Sequence, residues 1–185
     1  MTTMPHRPGS REKLFFFTSG AIISIPFTLL VESLSDSLLS IRLPVFYATV
    51  FSAAILAPLI EEFAKAYPLF YRHGETEKSI FTLGFLVGLG FGLVEFLLYI
   101  FVYAAPILLR LPAIFFHATN TSITAFGIAT KRTVRFYLIA VLLHFLNNFS
   151  AQFGLFWFIG GVAALAASYL LSWRLHFRTA ERITD

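Results

Sequence analysis

The stretch PVFYATVFSAAILAPLIEEFAKAYPLF, residues 44–70, decides how the rest of the chain is understood. It is long enough and apolar enough to cross a bilayer, since a spanning helix needs about 20 predominantly apolar residues. Yet its second half carries Glu61, Glu62 and Lys65. A charged side chain at the centre of a bilayer costs about 2.5–3.5 kcal/mol or more, so such residues normally face partner groups or a water-filled cavity. The stretch therefore predicts a functional site within the membrane.

The composition of the whole chain agrees with a membrane protein. Of its 185 residues 57% are hydrophobic and 13% are charged, and the mean hydropathy is +0.77. Soluble domains average about 25% charged residues, so we expect an all-α polytopic membrane protein. The chain has no cysteine, which excludes disulfides, thiolate metal ligands and a cysteine nucleophile. The net charge of +4 comes from residues at span ends, so we expect no nucleic-acid partner.

Six apolar segments predict a bundle of about six transmembrane helices with a polar cavity inside. Residues 1–13 form a basic tail, 14–173 the transmembrane domain and 174–185 a second tail. The polar stretch 32–43 is predicted to lie in the membrane interface as an amphipathic segment. The last two spans are predicted to form a hairpin. The six segments are 14–31, 44–70, 80–103, 107–130, 136–152 and 154–173.

The distribution of basic residues predicts the orientation. Cytoplasmic loops of membrane proteins carry an excess of lysine and arginine. Two basic residues, Arg42 and Arg110, fall on one side of the predicted bundle. We therefore expect both termini in the cytoplasm. The other side collects Arg7, Arg11, Lys13, Arg72, Lys78, Lys131, Arg132, Arg135, Arg174, Arg178 and Arg182.

Polar residues from four segments are predicted to meet at one depth. A helix rises about 1.5 Å per residue, which places Glu61 at about 14 Å, Glu95 at about 22 Å and His117 at about 20 Å from the cytoplasmic ends of their segments. The same rise gives about 12 Å for His144 and about 18 Å for Asn148. Because buried charges need partners, these residues are expected to form one cluster.

Residue spacing within the segments supports an inward-facing cluster. Glu61 and Lys65 are four residues apart, with the acid on the N-terminal side, as in a favourable helical ion pair. Gly84, Gly88 and Gly92 recur every fourth residue ahead of the acid in segment 3. Small residues at this period allow two helix backbones to approach closely, so segment 3 is predicted to pack tightly in the bundle.

Three kinds of chemistry are open to such a cluster. A glutamate can act as general base on water while imidazole and amide groups stabilise an oxyanion. The same side chains can ligate zinc. They can also relay protons in a small transporter or proton-coupled carrier. Each residue could instead have a separate structural role, as an ion pair, an interhelical hydrogen bond or, for Arg110, an interface anchor.

Four motifs in order resemble those of the PrsW family of intramembrane proteases. They are EEFAK at 61–65, FGLVE at 91–95, Arg110 seven residues before His117, and HFLNN at 144–148. This family is similar to the CPBP, or Abi, proteins and the CaaX prenyl endopeptidases, which carry EExxxR and FxxxH in the first two motifs. Lys65 and Glu95 make this chain resemble the PrsW proteins instead. The chain departs from the PrsW pattern at Phe96, where asparagine is common.

The resemblance implies an intramembrane endopeptidase and a role for each motif residue. Glu61 would activate water, assisted by Glu62, and His144 and Asn148 would stabilise the oxyanion. Glu95 and His117 would orient groups or complete the water site. Beside these catalytic residues, Lys65 is expected to supply a supporting ion pair, and Arg110 and Asn120 are expected to bind substrate.

Cofactor and partner expectations follow from the same resemblance. We expect no cofactor; if zinc is present, Glu61, Glu95, His117 and His144 would hold it. The substrate is expected to be a single-span membrane protein or a membrane-associated peptide, cleaved in the lipid bilayer of a prokaryotic plasma membrane. Anti-sigma factors are the substrates of PrsW-type proteins, but the short outer loops here favour another target. The alternatives are a small transporter, which the lack of visible internal repeats disfavours, and a non-catalytic chaperone-like or immunity-like protein.

Overall fold

Six long helices make up the part of the chain that the computed structural model describes, residues 7–71, 76–153 and 155–181. No strand occurs in these residues, which confirms the predicted all-α class. The helices are α1 (Ser10–Arg42), α2 (Val45–Tyr71), α3 (Glu77–Phe101), α4 (Ile107–Ala129), α5 (Thr133–Ala151) and α6 (Leu155–His176).

Five of these helices are long and apolar enough to cross a membrane: α1, α2, α3, α5 and the stretch Phe158–His176 of α6. The protein is therefore a polytopic helical membrane protein. Helix α4 was predicted as a sixth span, but it carries a run of polar side chains between His117 and Thr124. These side chains are buried against α3, α5 and α6, so α4 is the internal helix of the bundle.

Of two sequence predictions about how the spans are connected, one is wrong and one is confirmed. Residues 32–43 were predicted as a separate interfacial segment, but up to Arg42 they continue α1, which is helical without a break from Ser10. The boundary at residue 32 was wrong, because the chain stays helical through this stretch and its Glu32 and Asp36 line the same cavity as Thr28 of the first span. The hairpin between α5 and α6 is confirmed, since the two helices pack along each other. Its turn residue Gly154 lies outside the described residues.

Wider, π-type turns interrupt α1 at Gly20–Ser24 and α2 at Phe51–Leu56. Such turns are often found near functional sites. The Asn148 side-chain amide of α5 donates a hydrogen bond of 3.0 Å to the carbonyl oxygen of Ala53, within the second of them. The Ser24 hydroxyl, in the first, donates one of 3.0 Å to the carbonyl oxygen of Ala64. The two turns thus help to fix α2 between α1 and α5.

The glycines of α3 allow close helix contact on two sides, as the sequence predicts. A methyl group placed on Gly88 would overlap the carbonyl oxygen of His117 in α4, and one on Gly84 would overlap the side chain of Ala125. On the opposite side, a methyl group on Gly90 would overlap the carbonyl oxygen of Phe17 in α1. Because α3 lies directly against both neighbours, its Glu95 and the His117 of α4 are held at a fixed separation.

Replacing Gly88 by valine should destabilise the fold. The new side chain would push away the backbone of His117, and overpacking of this kind costs about 1–3 kcal/mol in free energy of unfolding. The thermal unfolding midpoint of the purified protein in detergent would measure the loss. Gly9→Val is the matched control, because no atom lies within 4 Å of a Cβ at that position. Equal midpoints for the two variants would contradict the packing described here.

Candidate active site

Six titratable side chains from four helices meet inside the bundle. Five of them are buried, and Glu62 and Lys65 are 0% exposed. Side chains from α2, α3, α4 and α5 therefore converge as the depth argument predicts. The cluster consists of Glu61, Glu62, Lys65, Glu95, His117 and His144.

The ammonium group of Lys65 lies at the centre of the cluster. Its Nζ donates hydrogen bonds to Glu62 Oε1 at 2.7 Å and to His117 Nδ1 at 2.9 Å. It also lies 3.8 Å from Glu61 Oε2 and faces the Phe91 ring, 4.6 Å from the ring centroid. Lys65 follows Glu61 by four positions and Glu62 by three, so one helix face presents the cation to both acids.

Each histidine has a glutamate on one ring nitrogen. His144 Nδ1 is 2.9 Å from Glu62 Oε1, and His117 Nε2 is 2.5 Å from Glu95 Oε2. An ammonium group can only donate, so the Nδ1 of His117 that faces Lys65 accepts, and its Nε2 carries the hydrogen that is donated to Glu95. The Nδ1–H of His144 is likewise donated to Glu62, which leaves His144 Nε2 facing Glu61.

Glu61 has the one carboxylate oxygen in this cluster that faces both imidazoles without a hydrogen bond. Its Oε2 is buried and has no hydrogen-bond partner. It lies 3.8 Å from His144 Nε2 and 3.9 Å from His117 Nδ1. These separations are too long for direct hydrogen bonds. They suit a small molecule such as water that bridges the polar groups.

Three of these residues offer the donor atoms of a metal site. One ligand atom each from Glu61, His117 and His144 lie within 4.8 Å of one another. Two histidines and a glutamate are a known catalytic zinc set, and carboxylates commonly orient the histidines, as Glu62 and Glu95 do here. However, both nitrogens of His117 already have partners. A metal there would require Lys65 to release His117 Nδ1. Glu95, which was also predicted as a ligand, binds His117 instead.

A cavity of about 690 Å³ lies beside the cluster. Glu61 and Glu95 line its inner part, and Arg110 and Asn148 line it further out. It continues to Gln152, next to the end of α5, and to residues near the end of α1 and the start of α2. The cavity thus runs from the cluster toward a single end of the bundle, and the structure has the polar intramembrane cavity that the sequence predicts.

Three more residues were predicted to belong to the site, and two of them, Asn148 and Arg110, line the cavity. Asn148 lines the cavity, but its amide donates to Ala53 and its oxygen accepts a hydrogen bond from Asn147. Arg110 stacks on the ring of Tyr99, 3.4 Å from the ring centroid. Asn120 is fully buried away from the cavity lining. It donates to the Ala140 carbonyl oxygen and accepts from the Ser168 hydroxyl, so it joins α4 to α5 and α6.

Sequence analysis missed the polar face that α1 contributes to the same cavity. Thr28, Glu32 and Asp36 form this face. Their spacing of four residues places them on one helix face. That spacing was visible in the sequence, but it spans the boundary that had been drawn between a first span and an interfacial segment at residue 32.

Fold and site together define a class: a helical integral membrane protein with a buried acid–imidazole cluster next to a polar cavity. The chain belongs to the PrsW family of intramembrane metalloproteases, which it matches over residues 11–174. The protein is thus an intramembrane protease by family. No curated protein and no solved structure matches the chain.

Replacing Lys65 by methionine should destabilise the protein strongly. The change removes the cation and leaves Glu62 as a buried charge with only the hydrogen bond from His144, and the loss of one partner of a buried ion pair costs about 3–5 kcal/mol. The double variant Glu62→Gln/Lys65→Met should recover part of this loss, because it removes the orphaned charge. Unfolding midpoints in detergent would compare them. A single variant as stable as the wild type would show that Lys65 does not hold the cluster together.

Proposed function

We propose that the protein cleaves peptide bonds of membrane-embedded substrates with a water molecule that Glu61 activates. One observation carries the proposal: Glu61 Oε2, which has no hydrogen-bond partner, faces the nitrogens of two histidines, and Glu61 lines a cavity that reaches the end of the bundle. A general base must reach the proton that it removes directly or through one water. A water between Glu61 and His144 satisfies that requirement.

The reaction uses groups already in place. Glu61 takes a proton from the water as its oxygen bonds to the peptide carbonyl carbon. The same proton then passes to the amide nitrogen as the C–N bond breaks, which yields a carboxylic acid and an amine. The proton of the acid then passes to the amine, so the products are a carboxylate and an ammonium group. The negative charge on the tetrahedral oxygen needs hydrogen-bond donors. His144 supplies one from Nε2 when that nitrogen carries a hydrogen. Asn148 has a second amide hydrogen besides the one donated to Ala53.

Glu62, Lys65 and Glu95 act as positioning residues in this mechanism. Glu62 orients His144, and Glu95 orients His117. Lys65 connects the two pairs, because its ammonium group donates to both Glu62 and His117. A fixed arrangement of this kind lowers the cost of reorganising charges during the reaction.

The substrate proposed is a single-span membrane protein or a membrane-associated peptide. Helical peptide bonds are shielded by their own hydrogen bonds, so the segment that is cut must be locally unwound. The cavity is of the size that proteins use for small ligands, and it therefore suits a short extended stretch of peptide. On the positive-inside argument, its open end faces away from the cytoplasm.

A metal-dependent form of the same protease is a second candidate. Glu61, His117 and His144 would hold the ion, and the histidine pairs with Glu62 and Glu95 favour this form. A zinc ion bound there would supply Lewis-acid chemistry. The contact of Lys65 with His117 Nδ1 favours the first mechanism, because it fills the position from which that nitrogen would bind a metal.

Glu61→Gln should abolish cleavage of single-span substrates by the purified protein in detergent or vesicles. Glutamine keeps the size of the side chain but cannot accept the proton, and general base catalysis contributes about 10²–10⁴-fold to rate. The initial rate of product formation, followed on gels and by mass spectrometry, measures the effect.

Glu181→Gln is the control for that experiment, because it removes a carboxylate at the C-terminal end of the described chain, outside the cavity lining. It should cleave at the wild-type rate. Undiminished cleavage by Glu61→Gln would refute the assignment of the base. If the wild type cleaves no member of a broad substrate panel, the proteolytic function itself fails.

Metal removal separates the two candidate mechanisms. The glutamate mechanism predicts that dialysis against a zinc chelator leaves the rate within about twofold and that elemental analysis finds no stoichiometric metal. The metal-dependent form predicts about one zinc per chain, lost in His144→Ala together with activity. Loss of activity on chelation, followed by recovery with zinc alone, would replace the first mechanism by the second.

A further inference from the structure

Helix α1 contributes an acidic face to the cavity that the mechanism does not use. Thr28, Glu32 and Asp36 lie four residues apart along the helix and line the same cavity as Glu61 and Glu95. Asp36 accepts a hydrogen bond from the Ser52 hydroxyl of α2. Glu32 lies between Thr28 and Asp36 in the chain, on the route from the cluster toward the cavity mouth.

Two polar atoms on this face lack partners although they are buried. Glu32 Oε1 and Thr28 Oγ1 have no hydrogen bond, and Thr28 is only 4% exposed. Within residues 7–71, 76–153 and 155–181, no lysine, arginine or histidine forms an ion pair with Glu32. Buried polar atoms normally have partners, so an unpaired carboxylate oxygen and hydroxyl one helical turn apart point to a ligand that donates to both.

The charged residues around the cavity indicate that the ligand carries a positive charge. Among the described residues four carboxylates line the cavity, those of Glu32, Asp36, Glu61 and Glu95, and Arg110 is the one lysine or arginine there. Arg110 is stacked on Tyr99. Glu32 is also close enough to Glu95 and to Asp36 to be repelled by both carboxylates. Charges at membrane depth require compensation, so the cavity favours a cationic occupant.

We propose that Glu32, together with Thr28, binds a lysine or arginine side chain of the peptide substrate close to the bond that is cut. This inference rests on the proposed function, whose substrate class it narrows. An ammonium group has three donors, which match the free oxygens of Glu32 and Thr28. A bare metal ion fits less well, because the three-residue group of possible metal ligands found in the described residues does not include Glu32.

A cleavage assay in which lysine is placed at successive positions of the substrate tests the proposed preference for a cationic side chain. In a single-span substrate that the wild type cleaves, each of the four residues on either side of the cut is replaced in turn by lysine, norleucine or glutamate. Norleucine keeps the aliphatic chain without the charge. At one position the lysine substrate should be cleaved about tenfold faster than the norleucine substrate. A hydrogen bond to a charged group contributes about 1.5 kcal/mol or more, which corresponds to a factor of about ten.

Variants at position 32 connect the preference to this residue. Glu32→Gln should lower the ratio of the lysine to the norleucine cleavage rate from about ten to about one, and Glu32→Lys should reverse the preference in favour of glutamate. Glu32→Asp keeps the charge and should retain part of the lysine preference. It serves as a second test if Glu32→Gln or Glu32→Lys fails to fold. Glu181→Gln, outside the cavity, should behave as the wild type.

A binding measurement keeps this inference separate from the cleavage chemistry. In the Glu61→Gln background, fluorescence anisotropy with labelled lysine and norleucine peptides should show about tenfold tighter binding of the lysine peptide, lost on adding Glu32→Gln. If this binding difference appears but no substrate is cleaved, the proposed function fails and the cation site stands. If substrates are cleaved without any charge preference, or if the preference persists in Glu32→Gln, the inference is overturned.

Discussion

The contact of the Lys65 ammonium group with Glu62 and His117 is the interaction on which the rest of this site depends. The three residues come from α2 and α4, and through Glu62 the contact extends to His144 of α5. Within the bilayer a charge that is separated from its partner is costly, so the acids, the cation and the imidazoles must compensate one another. The same hydrogen bonds that hold the helices together also orient the two histidines toward Glu61.

The helix packing provides the precision that this cluster needs. Glycines let α3 lie directly against α4, and the contact surface includes the backbone of His117. Glu95 therefore reaches His117 from a rigid neighbour. The π-type turn in α2 is stabilised through Ala53 by Asn148, and it lies two turns ahead of Glu61. Close packing and irregular turns thus act together to position a small number of polar atoms.

Much of this could be predicted from the sequence because membrane depth and helix rise are simple constraints. The positive-inside argument and a rise of about 1.5 Å per residue brought Glu61, Glu95, His117 and His144 to one level, and the structure has them in contact or near contact. Their direct partners could not be predicted. The link from Lys65 to His117 depends on how far α2 and α4 are rotated, and the amide bonds of Asn120 and Asn148 depend on which backbone carbonyls of neighbouring helices are free. Glu32 was missed because the end of the first span was placed too early.

A tetrahedral analogue tests the central claim most directly. A phosphinic peptide with the sequence of a cleaved substrate carries a charged tetrahedral centre where the attacked carbonyl would be. If Glu61, His144 and Asn148 surround the reacting water and carbonyl, this analogue should bind at least about 100-fold tighter than the uncleaved peptide. His144→Ala should remove most of that advantage. An analogue that binds no tighter than the peptide, or that binds His144→Ala as tightly as the wild type, would contradict the account.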